Sequence, residues 1–305
     1  MRTETRSFLQ FNPGLLLLIL ILVTAISFIL GSVITYYFVS QYLQVDLMEI
    51  PAAMLLPQNG RIALISNATA AVIAFLPPSF LVAFFSKGAI ASNLGLRQKI
   101  NIQQVAIIIL LALFGLVLSG SLATISQAIP LGEDIKSWAK GLENTYKQAM
   151  LAMMQMHSIA DLLMSLFLVA VIPAFAEEFY FRGALQKILK DWSGAPLVAI
   201  IITAMLFSAI HFSFYGFLSR MALGILLGLI YQQTKSILLP ILLHFVNNGV
   251  AITVLYFARG DQKKIDQTMD ETMPWYWGIL AIVFIVFLLK QLKKYNNAGL
   301  EKDIQ

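Results

Sequence analysis

The stretch LLMSLFLVAVIPAFAEEFYFRGAL, residues 162–185, places two adjacent carboxylates and an arginine directly after a long apolar run. An ionisable side chain at the centre of a bilayer costs about 3 kcal/mol on insertion scales. Charged residues inside a membrane-spanning segment therefore indicate a functional site. The role of Glu177, Glu178 and Arg182 thus depends on whether this segment crosses a membrane.

The composition predicts that it does. Hydrophobic residues make up 59% of the 305 residues and charged residues only 12%, whereas charged residues make up about a quarter of a soluble protein. The mean hydropathy is +0.79. We predict an integral, multi-pass membrane protein whose partners include membrane lipids. The net charge of +5 is spread over short loops without a long basic run, so it indicates topology and not nucleic-acid binding.

Apolar segments of about 20 residues can cross the hydrocarbon layer as helices. Eight such segments lie at about 15–39, 62–85, 105–129, 159–181, 196–215, 217–233, 237–257 and 275–291. We predict an all-α bundle of about eight transmembrane helices that forms a single membrane domain over residues 1–305. Its parts are three N-terminal helices (15–129), a core that carries the polar residues (159–257) and a last helix (275–291).

The distribution of lysine and arginine predicts the orientation of this bundle. Arg2 and Arg6 precede a first segment that is too long for a signal-peptide core, so it is interpreted as a retained anchor. With both termini in the cytoplasm, most lysines and arginines lie on the cytoplasmic side. The longest polar connection, residues 130–158, then lies outside, and its spacing predicts an amphipathic helix on the outer surface.

The few polar side chains at membrane depth are spaced as if they formed one site. The polar turn DWSGAP separates segments four and five, and Gly194 within it lies midway between Glu177 and His211. In an antiparallel pair of helices these two residues lie at nearly the same depth. His244 lies a short distance into segment seven. We predict a shared pocket of Glu177, His211 and His244 in the cytoplasmic half of the bilayer.

Two further pairs share a helix face because their members are four residues apart. His244 pairs with Asn248, and Glu178 pairs with Arg182. Glu177 lies about 100° around the helix from Glu178 and is free to point elsewhere. This spacing predicts a charge clamp beside a separate reactive carboxylate.

Prolines and glycines suggest how the helices are shaped. Pro173 and Pro240 each precede a candidate reactive residue by four positions and predict kinks that open room for substrate or water. Gly224 and Gly228 give segment six a small-residue face for close packing.

Taken together, these residues resemble the CPBP intramembrane protease family, which comprises type II (Rce1-like) CAAX prenyl proteases and bacteriocin-processing enzymes and is also called the Abi family. The motifs that carry the resemblance are Glu177-Glu178-x-x-x-Arg182, Phe207-x-x-x-His211 and His244-x-x-x-Asn248, in this order on successive apolar segments. The resemblance covers about residues 170–250, and the first three segments show no matching feature.

The resemblance implies an eight-span helical bundle with a cavity that is open toward the cytoplasm and the lipid. It implies that Glu177, His211, His244 and Asn248 are catalytic, with Glu178 and Arg182 in support. The implied substrates are membrane-tethered peptides or proteins, either CAAX-like C-termini or leader and bacteriocin peptides.

The side chains themselves suit peptide hydrolysis, which needs an activated water, oxyanion stabilisation and a proton for the leaving amine. Glu177 is the natural base, His211 is placed to orient the water or share its proton, and His244 with Asn248 suits the oxyanion. A zinc ion held by Glu177, His211 and His244 is an equally open alternative. Because the HExxH pair is absent, these ligands would come from three helices.

Other classes of protein fit the residues less well. The chain has no cysteine, and LSGSL at 118–122 lacks the context of a serine nucleophile. A proton-coupled transporter remains an alternative, although the sequence shows no internal repeat. A non-catalytic membrane regulator or immunity protein on the same fold is the other alternative, because fold alone does not establish activity.

Overall fold

The computed structural model describes residues 10–270 and 272–302, so Arg2 and Arg6 lie outside the described residues. The described chain is helical and contains no strand, which confirms the predicted all-α class. Short helical turns lie at Ile50–Met54, Pro57–Asn59 and Ile90–Asn93. The longer helices are α1 (Pro13–Leu43), α2 (Gly60–Phe85), α3 (Ile102–Ala128), α4 (Glu133–Met153), α5 (Ile159–Ser193), α6 (Pro196–Ala209), α7 (Phe217–Thr234), α8 (Leu238–Ala258), α9 (Gln262–Asp270) and α10 (Trp275–Lys302).

Six of these helices are long and apolar enough to cross a membrane, namely α1, α2, α3, α5, α8 and α10. Helix α6 is apolar but shorter, and α7 has 18 residues that include Arg220. All eight predicted segments are helices. The protein is therefore an integral, multi-pass membrane protein.

The predicted end of α6 was wrong. The helix was expected to continue to residue 215, but it ends at Ala209. The Ser208 hydroxyl donates a hydrogen bond to the Phe217 carbonyl (2.6 Å), which closes the connection to α7. Phe212 adopts a left-handed conformation with φ 50°, a conformation that a helix does not contain. His211 consequently lies in a turn just beyond the helix.

Four buried apolar clusters hold the bundle together, and two of them show how the helices are joined. One joins α3, α7, α8 and α10 through fully buried leucines, and the other joins α1, α2, α5 and α6 around Phe181 and Phe207. The opposite face of α1 exposes large apolar side chains such as Phe28 and Ile29. Exposed apolar side chains on a membrane helix face lipid.

Helices α6 and α7 approach each other closely at two glycines. A Cβ atom on Gly224 would lie 3.0 Å from the Ala204 side chain, and one on Gly228 would lie 2.9 Å from Ile200. These distances leave no space for a larger residue, as expected for small-residue packing between membrane helices. The two glycines bring the α7 backbone next to α5.

Helix α5 departs from regular α geometry on both sides of the carboxylates. It is π-helical over Leu166–Val171 and again over Phe179–Gln186. Such turns insert an extra residue and often occur at functional sites. The sequence predicted a kink at Pro173, and a π-helical turn ends just before this proline.

The kink that was predicted at Pro240 does not form. Pro240 lies in the first turn of α8, which begins at Leu238. The backbone N–H groups of a first turn have no partner within the helix, so a proline there removes no helical hydrogen bond. His244 therefore lies on a regular helix.

Candidate active site

The four side chains predicted to be catalytic line one cavity. Glu177 on α5, His211 beyond α6, and His244 and Asn248 on α8 all contribute to its wall, and its volume is about 1360 Å³. The structure thus brings together residues that are up to 71 positions apart in the sequence. Their catalytic role remains a prediction.

Glu178 is at the centre of the buried polar network. Its Oε1 atom accepts hydrogen bonds from Arg182 Nη1 (2.8 Å) and from His244 Nδ1 (2.9 Å). The Glu178 and Arg182 side chains are fully buried. A buried carboxylate needs paired and hydrogen-bonded partners, and Glu178 has two. The sequence predicted the pair with Arg182 and did not predict the bond to His244.

Arg182 also binds the backbone of α7. Its Nη2 atom donates to the Gly224 carbonyl (3.1 Å), and one turn further Gln186 donates to the Gly228 carbonyl (3.1 Å). The guanidinium carbon lies 4.8 Å from the centre of the Phe207 ring, within the range of a cation–π contact. The two glycines that admit close packing therefore also expose the carbonyls that bind α5.

The bond to Glu178 orients the His244 ring. A carboxylate is an acceptor, so His244 Nδ1 carries the proton of this bond. The opposite nitrogen, Nε2, lies 4.0 Å from Glu177 Oε2. A carboxylate on one ring nitrogen sets the tautomer and the orientation of the ring. His244 thus presents Nε2 to Glu177.

His211 is oriented by a bond to the last turn of α6. Its Nδ1 atom lies 2.8 Å from the Phe207 carbonyl oxygen. Because a carbonyl only accepts, Nδ1 carries the proton, and Nε2 of the neutral ring is left as an acceptor. The Phe207 ring lies 5.2 Å from the His211 ring and 5.7 Å from the His244 ring, measured between centroids. Phe207 therefore contacts both imidazoles.

Glu177 differs from its neighbour because it is not held by a buried cation. Its side chain lines the cavity, and its Oε2 atom is buried and has no hydrogen-bond partner among the described residues. A carboxylate oxygen without a protein donor is free to accept a proton from a molecule in the cavity. The adjacent acids thus have different surroundings, as the sequence predicted.

Asn248 is joined to the distorted part of α5. Its Nδ2 atom donates to the Val169 carbonyl (3.3 Å). Pro173, four residues after Val169, has no N–H with which to bind this carbonyl. One of the two Asn248 amide protons is used in this bond, and the second remains for another acceptor.

The three predicted zinc ligands do not form a ligand set in this arrangement. Among residues 10–270 and 272–302, no three His, Asp or Glu side chains are grouped closely enough to hold a metal ion. His244 Nδ1 is bound to Glu178 and His211 Nδ1 to the Phe207 carbonyl, which leaves Nε2 of each ring as the nitrogen that could bind a metal. A zinc ion at Glu177, His211 and His244 stays a prediction.

The cavity opens on the side of α4. Exposed residues of this helix, including Lys140 and Asn144, form part of its wall. The turns at the other end of the bundle, around Gly194 and Lys235, contribute nothing to it. The amphipathic helix predicted within residues 130–158 is therefore present as α4 and borders the site, and its location on the outer surface stays a prediction.

Both ends of the described chain lie on the face opposite to α4. The Phe11 N–H donates to the Phe85 carbonyl (3.2 Å), and the Asn296 amide donates to the Gln233 carbonyl (3.1 Å). Cytoplasmic termini and a cavity open to the cytoplasm are therefore incompatible, although both were expected from the sequence. The expectation of cytoplasmic termini came from loop charges, and that of a cytoplasmic opening came from the family resemblance.

Sequence reasoning missed three kinds of residue at the site. The role of Phe207 as a contact of both histidines had one signal, its spacing of four residues from His211. Glu143 on α4 accepts a hydrogen bond from Ser213 (2.9 Å), and no local pattern connects these two. Arg220 follows His211 by nine residues, and only the structure places it in the cavity wall.

The fold and the site together define a class of protein: a polytopic helical membrane protein with a polar cavity built on a buried Glu-Arg-His network. Within that class, residues 159–250 match the family described as Type II CAAX prenyl endopeptidase Rce1-like. The chain is similar to this family over these residues, which confirms the resemblance that the motifs carry.

Other known proteins add little to this family match. A curated protein of Bacillus subtilis (strain 168), uncharacterized protein YpbD, is 30% identical over 101 residues. The alignment covers 32% of this chain and 49% of that protein, so the chain spans about half the length of the relative. No solved structure matches the chain.

Proposed function

We propose that the protein is an intramembrane endopeptidase that hydrolyses a peptide bond of a membrane-associated peptide or protein. The observation that carries the proposal is the shared cavity, in which Glu177 comes within 4.0 Å of His244 and His211 lines the same wall. The Rce1-like match over 159–250 supports the same class of reaction.

In this proposal Glu177 and His211 activate the water. The Glu177 carboxylate accepts a proton from water, and His211 Nε2 accepts the second hydrogen bond that orients it. The water oxygen then attacks the carbonyl carbon of the scissile peptide bond. General-base catalysis by a positioned side chain typically contributes a factor of about 10² to 10⁴.

The other two residues stabilise the charge that develops on the substrate. His244, protonated with Glu178 on its far nitrogen, donates from Nε2 to the oxyanion, and the Asn248 amide donates its second proton. The carbon–nitrogen bond breaks as Glu177 returns its proton to the leaving amine. Donors held in place before the reaction stabilise such an oxyanion without a cost of reorganisation.

The proposal predicts which substitutions stop cleavage. Glu177→Ala, His211→Ala and His244→Ala should each abolish cleavage of a membrane-tethered reporter peptide by purified protein in liposomes. Ser119→Ala is the matched control, because Ser119 lines the same cavity and has no role in the reaction. Cleavage that survives in the Glu177 variant would refute this mechanism, whereas absence of cleavage by the wild-type protein would favour a regulator or transporter on this fold.

The metal alternative is decided by a separate measurement. Purified protein is treated exhaustively with a chelator, and its metal content and its cleavage rate are measured on the same sample. The direct glutamate mechanism predicts full activity without metal. Activity that falls with metal content and returns with zinc would establish the metal mechanism instead.

The proposed substrate is a peptide tethered to the membrane, and two kinds of peptide fit this description. A cavity of about 1360 Å³ admits several residues of a peptide, and its walls include the apolar residues Ile21 and Phe28 of the lipid-exposed helix α1. A peptide tethered to the membrane fits these walls. Both a CAAX-like C-terminus and a leader or bacteriocin peptide belong to this class.

A further inference from the structure

Arg220 is a cation in the cavity wall that the proposed chemistry does not use. It lies in the first turn of α7, and its guanidinium carbon is 4.6 Å from the centre of the Tyr146 ring on α4. Its Nη1 atom is buried and has no hydrogen-bond partner among the described residues. A buried cationic donor without a partner carries a desolvation cost.

The surroundings of Arg220 hold the guanidinium in one place. A Cβ atom on Gly216 would collide with Arg220 Nη1 and would lie 2.8 Å from its Cζ atom. Only glycine leaves room for the side chain in this position. The guanidinium is thus held between the α6–α7 turn and the Tyr146 ring, and both elements border the cavity.

The nearby carboxylate does not neutralise Arg220. Glu143 Oε2 accepts its hydrogen bond from Ser213 (2.9 Å), and Arg220 Nη1 remains without a partner. The same side of the cavity carries Lys140 of α4 as a further cation, while Lys136 is paired with Glu133 (3.5 Å). An anionic group that enters from the α4 side therefore meets a wall with more positive than negative charge.

Arg220 lies in the same cavity as the proposed reacting groups. Arg220 and His211 both line the cavity that contains Glu177. One extended residue spans about 3.3 Å. A group bound to Arg220 therefore belongs to a substrate residue within a few positions of the scissile bond.

We propose that Arg220 binds a carboxylate of the substrate peptide and so determines which bonds are cut. The carboxylate is either the free C-terminus or an acidic side chain close to the scissile bond. This inference rests on the proposed function for the identity of the ligand as a peptide. A charge-assisted, two-pronged bond to carboxylate is the typical use of an arginine.

Binding without turnover tests the inference separately from the proposed function. The probe is an N-palmitoylated, dye-labelled pentapeptide of uncharged residues, prepared as the free acid and as the C-terminal amide. A third form is amidated and carries one glutamate. Dissociation constants are measured with the Glu177→Gln protein in phosphatidylcholine nanodiscs, where no form is cleaved.

The expected result is that an acidic probe binds about tenfold more tightly than the neutral amide, as a charged hydrogen bond provides. Addition of Arg220→Gln should remove this preference. Arg259→Gln is the matched control, because Arg259 stacks on the Tyr256 ring at 3.6 Å without lining the cavity. The acid probe and the glutamate probe distinguish the two sources of carboxylate, and either preference supports the proposal.

Two further variants keep the test valid if Arg220→Gln does not fold. Gly216→Ala retains the charge and displaces the guanidinium, so the preference should fall severalfold. Arg220→Lys retains a cation and should keep part of the preference. Equal binding of all three probes to the Glu177→Gln protein would overturn the proposal. It would also be overturned if folded Arg220→Gln protein kept the full preference for the acidic probes.

Discussion

At the scale of single residues, Glu178 and Glu177 show how position determines the role of a carboxylate. Glu178 is enclosed by Arg182 and His244, and one of its oxygens accepts from both. Each carboxylate keeps one oxygen without a donor from the described chain, but Glu177 borders the cavity and Glu178 does not. We infer that Glu178 is a positioning residue for His244 and that Glu177 is the group that reacts.

Replacing Glu178 by glutamine should therefore affect stability as well as turnover. The amide keeps the shape of the side chain, but Arg182 is left as a buried and uncompensated charge. Breaking a buried pair in this way costs about 3 to 5 kcal/mol. Thermal unfolding in detergent measures the loss.

A matched control exists at the cavity rim. Glu143→Gln removes a carboxylate that has one hydrogen bond to a serine, and it should cost less than about 1.5 kcal/mol. If the Glu178 variant unfolds at the wild-type temperature, the buried charge network does not hold the helices together as described.

At the scale of helices, α5 and α7 are joined by their backbones and polar side chains. The close approach at Gly224 and Gly228 exposes carbonyls that Arg182 and Gln186 bind. Neither glycine has space for a methyl group. The interface therefore both packs the bundle and binds one guanidinium nitrogen of Arg182.

An added methyl group in this interface should destabilise the protein. Gly228→Ala would place a Cβ atom 2.8 Å from Gln186 Oε1 and 2.9 Å from Ile200, and overpacking of this kind costs about 1 to 3 kcal/mol. Gly141→Ala on α4 is the control, since no atom lies within 4 Å of its Cβ position. Alanine favours a helix, so this control should be neutral or stabilising by up to about 1 kcal/mol.

The two glycine variants are compared by their unfolding temperatures in detergent. An unchanged unfolding temperature for Gly228→Ala would show that α6 and α7 can separate without loss of stability. That result would contradict the role assigned to this interface.

The helices were predictable from the sequence to different degrees. Hydropathy located all eight apolar segments, because a spanning helix must present apolar side chains along its whole length. The end of α6 was not predictable, since it depends on a hydrogen bond from Ser208 to Phe217 across the turn. The π-helical turns of α5 were not predictable either, because hydropathy does not distinguish them from regular turns.

At the scale of the whole molecule, spacing predicted which residues meet but not how they are connected. The position of Gly194 between Glu177 and His211 placed both at one depth, and both line the cavity. The bond between Glu178 and His244 joins residues 66 positions apart. Such a bond depends on how α5 and α8 pack, and no local pattern specifies it.

Which end of the helical bundle faces the cytoplasm can be measured by labelling single cysteines. The chain has no cysteine, so the labelling of a single introduced cysteine reports the side of the membrane on which that residue lies. If the loop charges determine topology, Lys87→Cys and Lys235→Cys should be protected from a membrane-impermeant maleimide in intact cells. Gln148→Cys on α4 should react, and all three positions are exposed.

The reverse pattern of labelling would place the termini outside and the cavity opening in the cytoplasm. It would show that the loop charges are a poor guide to the topology of this chain. Equal labelling of Lys235→Cys and Gln148→Cys in intact cells would contradict the bundle itself, because these positions lie at opposite ends of it.

The central claim is that Glu177 activates a water molecule for attack on a peptide bond. Its most direct test is the mass of the products that form in a single turnover in water labelled with heavy oxygen. The account predicts that the wild-type protein adds one labelled oxygen to the new C-terminal carboxylate of a membrane-tethered peptide and that Glu177→Gln forms no product. An unlabelled product, or product formation by Glu177→Gln at the wild-type rate, would contradict it.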